Sequence, residues 1–231
     1  MYPLHPGPDS GSGRHARSCT PSQAMWGEKV RRFGGLGADA AGGRTRAAGC
    51  YAAVALDDQV PNASGCVEID PALEPVEISC LILHEIEQEA RSSYPEECCG
   101  LLSGDDTVRF RHLHKCSNTM TARHRESPGT HPHDGRSAFL IDPLVYARIE
   151  DEAIARGERI TAVYHSHVGV RAYFSAIDLA FASRPDFPFP DADHIVVAVA
   201  DGVVRREERA LYRRAFAGGP FRGHPLRELP A

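Results

Sequence analysis

Apolar positions recur along this chain with two different periods. Leu83, Ile86 and Ala90 fall on one face of a helix that Ser79 is placed to cap and Pro95 to end. Residues 98–103 and 107–114 read as the strands of a hairpin turning at Gly104-Asp105-Asp106, and residues 138–141 as a third strand. Asp142 and Pro143 supply an N-cap and a first helical residue. The helix they open runs to Arg156, stops at Gly157 and buries Val145, Ile149 and Ala153. Residues 159–167 carry Ile160, Ala162 and Val163 and predict a buried strand. Ser175 opens a short helix that closes near Ser183, and a Pro-rich loop follows over residues 184–190. Residues 194–200 are a central strand by their unbroken apolar run, and residues 203–212 supply one or two edge strands. Helix, strands, helix, strand, helix, strands is an α/β order: a single mixed β-sheet flanked by helices.

That body spans residues 74–216. Residues 1–73 are rich in Gly, Ser, Ala, Pro and Arg with little periodicity, so they predict a disordered segment, or one upstream of the true start, with Met25 the alternative first residue. Residues 217–231 read as a flexible tail. The net charge of −5 and the absence of a basic stripe argue against nucleic acid as a partner. Seven cysteines with no Cys-x-x-Cys, no apolar leader and no stretch long enough for a bilayer predict free thiols in a reducing cytoplasm, away from membranes.

Candidate chemistry concentrates after the residue 159–167 strand. The sequence reads His165-Ser166-His167, seven residues, then Ser175-x-x-Asp178. Alternate residues of a strand share a face, so both imidazoles can reach one ion. Asp178, in the first turn of a helix, adds a carboxylate on a rigid support. Two His and one Asp leave one position of a tetrahedral zinc open for water, the mark of a catalytic site. The plainer alternative is surface polarity for the histidines and a capping box for Ser175 and Asp178; capping and metal binding are compatible. A base is also required. Glu97 lies in Tyr94-Pro-Glu-Glu-Cys-Cys-Gly100, at the junction between a helix end and a buried strand.

Together, Pro95-x-Glu97-x-Cys99-Gly100 and His165-x-His167-x7-Ser175-x-x-Asp178 resemble the JAMM (MPN-plus, JAB1-type) zinc metalloproteases over about residues 76–214. The resemblance implies a JAMM/MPN-like fold of cytidine-deaminase-like architecture and one zinc ion on His165, His167 and Asp178. It implies Glu97, and not Glu96, as general base, and Ser175 as a stabiliser of the oxyanion. Ala172-Tyr173 is similar to the short bacterial branch, whose members trim the C-termini of small ubiquitin-like sulfur-carrier proteins. Such a carrier, or its C-terminal peptide, is the implied substrate. A deubiquitinase-like isopeptidase and a non-catalytic binding module are the alternatives. Val168 and Phe174 depart from the family, which often has Pro or Thr after the second His and Pro before the serine.

Other signals are weaker. Residues 119–136 form a polar loop with His124, His131 and His133, read as a flexible flap beside the site rather than a second metal centre. His84-Glu85 lacks the second His of a zincin, which is replaced by Gln88. Cys98 and Cys99 read as core thiols. Asn118 is a candidate for a polar contact near the substrate, and His194 for a structural histidine.

Overall fold

The computed structural model describes residues 65–230, so most of the expected disordered segment, including Met25, lies outside the described residues. Seven strands and four helices are described: β1 (Val76–Ser79), α1 (Cys80–Ser93), β2 (Cys99–Gly104), β3 (His112–Cys116), α2 (Met120–Glu126), α3 (Pro143–Ala155), β4 (Arg159–Val168), α4 (Ala176–Ala182), β5 (Asp193–Ala200), β6 (Val203–Arg214) and β7 (Phe221–Leu229). They make one curled mixed sheet in the order β1-β7-β6-β5-β4-β2-β3. β4 and β5 run parallel, joined by the α4 crossover, as do β1 and β7; the remaining pairs are antiparallel.

Strand alternation explains which side chains meet. On β4, Ala162 and Tyr164 face α1, whose Ile82, Leu83, Ile86 and Ala90 pack onto them and onto Ile195, Val197 and Val199 of β5. Val163, between Ala162 and Tyr164, packs on the opposite face against Ile149 and Ala153 of α3. His165 and His167 share its parity, and so stand on the α3 and α4 side. A bulge at Thr161 shifts the register, pairing Ser103 with Ile160 and Leu102 with Ala162. This brings Ile160 to the α3 side, where strict alternation would place it opposite. The Tyr164 hydroxyl donates to Glu89 on α1 at 2.5 Å. Gly100 permits this close packing, because a Cβ there would lie 2.4 Å from the Tyr164 hydroxyl oxygen and from the His114 carbonyl oxygen.

Several expectations need correction. The tail expected to be flexible contains β7, whose Phe221 and Gly223 are buried and which bridges β6 and β1. Its Arg222, His224, Arg227 and Glu228 break the apolar pattern and conceal a strand held by backbone pairing and by Phe221 and Leu226. Consequently β6 is an interior strand, not an edge. Residues 65–73 are tied down by bridges from Val67 to Phe174 and from Ile69 to Gly223. Residues 138–141 form no strand; their backbone is held by Asn118 instead. The second hairpin strand starts at His112, after a wider turn closed by the Asp105 carboxylate on the amides of Thr107 and Val108. Met120–Glu126 is helical where a loop was expected, and it buries no residue, which explains why no apolar period marks it.

Candidate metal centre

His165 and His167 stand on β4 with their Nε2 atoms 3.2 Å apart. Asp178, from the first turn of α4, places Oδ1 3.3 Å from His165 Nε2 and Oδ2 3.3 Å from His167 Nε2. The carboxylate therefore meets each histidine through a different oxygen, and each of these donor pairs is 3.2–3.3 Å apart. A zinc ion with bonds of about 2.0–2.1 Å needs a donor–donor edge of roughly 3.3 Å, so the spacing fits such an ion. The histidines are 0% and 4% exposed and Asp178 is 8% exposed. Among the described residues this is the one cluster of His, Cys, Asp and Glu close enough to share an ion.

Neighbouring groups fix the three donors. His167 Nδ1 lies 3.0 Å from the Arg171 carbonyl oxygen, which selects the tautomer with the lone pair on Nε2. The His165 ring stacks on Phe139, centroids 4.6 Å apart, while its Nδ1 is buried without a hydrogen-bond partner. Ser175 and Asp178 form a full capping box. The Asp178 amide donates to Ser175 Oγ at 3.1 Å, and Oδ2 accepts from the Ser175 amide at 2.9 Å and from its hydroxyl at 2.6 Å. The helix start therefore aims the carboxylate at the histidines. In this arrangement the Ser175 hydroxyl proton points at Asp178 rather than into the site.

Charge is coupled across the cluster. Burial disfavours the Asp178 carboxylate, but the two histidines outweigh it and hold its pKa well below the usual carboxylate range. Burial drives His165 down. It acts on His167 in the same direction, but the Asp178 hydrogen bond and charge prevail and that pKa rises. Glu97 is 5% exposed, and burial pushes its carboxyl up to about 8, with His167 opposing and Asp178 reinforcing the shift. It precedes Cys98, whose carbonyl accepts from the Ser166 amide at 3.1 Å and whose amide donates to the Ser166 hydroxyl at 2.8 Å. That pairing sets Glu97 alongside His167. Glu96 turns away and accepts from the Thr121 hydroxyl at 2.7 Å.

Asn118 holds this junction together. Its Nδ2 donates to the carbonyls of Glu97 and Ala138 at 3.0 and 3.1 Å, and its Oδ1 accepts from the amides of Met120 and Leu140 at 3.0 and 3.1 Å. It is a backbone clamp, a role that nothing in the local sequence signals. Gly135 completes the junction by accepting from the Glu97 amide at 2.7 Å. Asn118→Ala is expected to cost about 1–3 kcal/mol through unpaired backbone groups. In urea the unfolding midpoint should fall with an unchanged m-value; an unshifted midpoint would show the clamp to be dispensable.

The remaining candidates separate by environment. Burial pushes the Cys98 thiol up to about 12 and raises Cys99 as well, so neither is poised as a thiolate. His124 Nδ1 faces the His131 carbonyl at 2.6 Å, which ties the His-rich segment to itself. Phe174 is fully buried against Tyr212, Phe221 and His194. His194 sits among these rings with Nε2 unpartnered, and burial lowers its pKa to about 3. Its unfolded value is near 6.5, so below that pH the unfolded chain binds one proton more and stability falls as pH falls. From pH 6.5 towards 3 this single group contributes a slope of up to ~1.4 kcal/mol per pH unit. His194→Phe should be flatter than the parent by about that slope; parallel stability curves for the two proteins would refute the assignment.

Residues 82–213 match the family model for prokaryotic homologs of the JAB domain. The chain belongs to that family. No curated protein matches it. Among solved structures, this JAB-domain chain is similar to a protein from Desulfitobacterium hafniense at 17% identity, covering 67% of this chain and 93% of that one, with a TM-score of 0.47. A Salinibacter ruber protein shares 22% identity over 66% and 90% of the two chains, with a TM-score of 0.43. A JAB1/MPN domain protein from Archaeoglobus fulgidus shares 19% over 68% and 100%, with a TM-score of 0.39. Among the described residues, no helix is long and apolar enough to cross a membrane.

Proposed function

We propose that this JAB-domain protein is a zinc-dependent peptidase of the JAMM type, acting on an amide bond at the C-terminus of a small ubiquitin-like sulfur-carrier protein. The observation that carries this reading is the convergence of three buried side chains, His165, His167 and Asp178, whose donor atoms lie close enough to share one ion. His165, His167 and Asp178 would hold the zinc ion, which when bound would supply Lewis acidity towards water and the substrate carbonyl. Glu97 accepts the proton released by the attacking water and returns it to the departing amine. Phe139, stacked on His165, shields that side of the site from solvent. Ser175 orients Asp178 and, by rotating its hydroxyl, can donate to the developing oxyanion.

The substrate class rests on the family resemblance and on one feature of the sheet. β3 is an edge strand that leads directly into Asn118 and the Glu97 junction. An extended chain end can pair along such an edge. A module that only docks partners has no use for a complete buried donor set, which favours the enzyme over that reading.

The test is incubation of purified protein with sulfur carriers bearing extended C-termini, read by intact mass. Truncation is expected with one equivalent of zinc bound, with loss on chelation and recovery on adding zinc back. A protein that binds no zinc, or one that is fully loaded yet leaves every carrier intact while cleaving ubiquitin conjugates, would overturn this assignment.

A further inference from the structure

A cavity opens directly beside the three donors and shares Asp178 with them. Much of its lining is apolar. Met120 of α2, Phe139 and Leu140 of the following loop, and Ile177 and Phe181 of α4 all line it, and all are only half-buried. Phe139 joins the two sites, because the ring that stacks on His165 also meets Phe181 edge-on at 6.1 Å. Half-exposed apolar side chains gathered around one hollow next to a polar centre are the usual make-up of a specificity pocket. The same lining also carries polar side chains, among them His131, His133 and Arg184. Arg184 gives Nε and Nη2 to Asp186 at 2.9 and 2.6 Å, an arrangement that leaves Nη1 available.

We infer that this cavity receives the residue released by hydrolysis, an apolar C-terminal amino acid whose free carboxylate meets Arg184. The inference rests on the peptidase reading and specifies its substrate. Charge complementarity selects the occupant: the terminal residue of a chain carries a carboxylate beyond its side chain, whereas a residue within a chain does not. An apolar side chain fills the wall, and a charged one there would lose its hydration without a partner.

Two measurements on the full-length, zinc-loaded protein test this. The first is binding, by ligand-observed NMR, of L-phenylalanine, L-phenylalaninamide and L-aspartate. Phenylalanine is expected to bind at least tenfold more tightly than either of the others. Ile177→Glu should remove that advantage with zinc content unchanged, and Arg184→Gln should erase the difference between acid and amide. Equal binding of phenylalanine and aspartate, or no binding at all, would overturn the pocket assignment and leave the peptidase reading standing. The second compares carriers with Phe at the released position and at the position just before the cleaved bond. Preference for Phe at the released position supports the inference, and preference for the other position overturns it. If phenylalanine binds as expected but no carrier is cut, the peptidase reading is what fails.

Discussion

Glu97→Gln is expected to bind zinc as the parent protein does and to lose about 10²–10⁴-fold in turnover, the range for removal of a general acid–base group. The substitution keeps the size and hydrogen-bonding reach of the side chain while removing its basicity. None of the three donor atoms belongs to Glu97, so metal content should not change. Stability should hold or rise slightly, since burial already disfavours the charged form of this carboxyl. Two readouts separate a base from a structural residue: zinc content by metal analysis, unchanged, and kcat, sharply reduced. Retention of parental turnover by the zinc-loaded variant would remove Glu97 from the mechanism. Glu96→Gln is the matched control. That side chain bonds Thr121 at the α2 surface, and its replacement should alter turnover little.

The site was more legible in the sequence than the sheet around it. His165 and His167 were readable because a buried strand imposes a strict two-residue alternation, and Asp178 because a serine three residues earlier marks a helix start. Both signals are local and geometric. β5 was readable for the same kind of reason, since a strand covered on both faces is apolar throughout. β7 interrupts its apolar residues with Arg222, His224, Arg227 and Glu228 and is specified largely by pairing with β6 and with the sequence-remote β1. The helix α2 buries nothing and has no period to read. Asn118 is the clearest case of a hidden role. Its bonds run to the backbone of residues 97, 120, 138 and 140, whose side chains give no indication that an amide joins them. Phe174 departs from the family by sequence, yet its ring anchors a cluster with Tyr212 and Phe221 while its backbone bridges Val67. The departure therefore serves packing beneath the loop that carries Ser175.

Asp178→Ala should abolish both zinc binding and activity, and it should also weaken the fold, because one side chain serves two ends. Towards the histidines, Oδ1 faces His165 and Oδ2 faces His167, each at 3.3 Å. Towards the backbone, Oδ2 satisfies the Ser175 amide at the start of α4. Removing the carboxylate leaves two imidazoles 3.2 Å apart with no anion between them, and it deletes half of a capping box worth roughly 0.5–2 kcal/mol. Asp178→Asn separates the two effects. An amide oxygen can still accept from the Ser175 amide, so the helix start should survive, but a neutral ligand binds a divalent cation poorly. The expected order in metal-free thermal unfolding is therefore Asn above Ala, with neither variant gaining the zinc-dependent rise in Tm expected of the parent. An Asp178→Asn protein that still bound zinc stoichiometrically with parental affinity would show that the two histidines suffice, and that the carboxylate serves α4 alone.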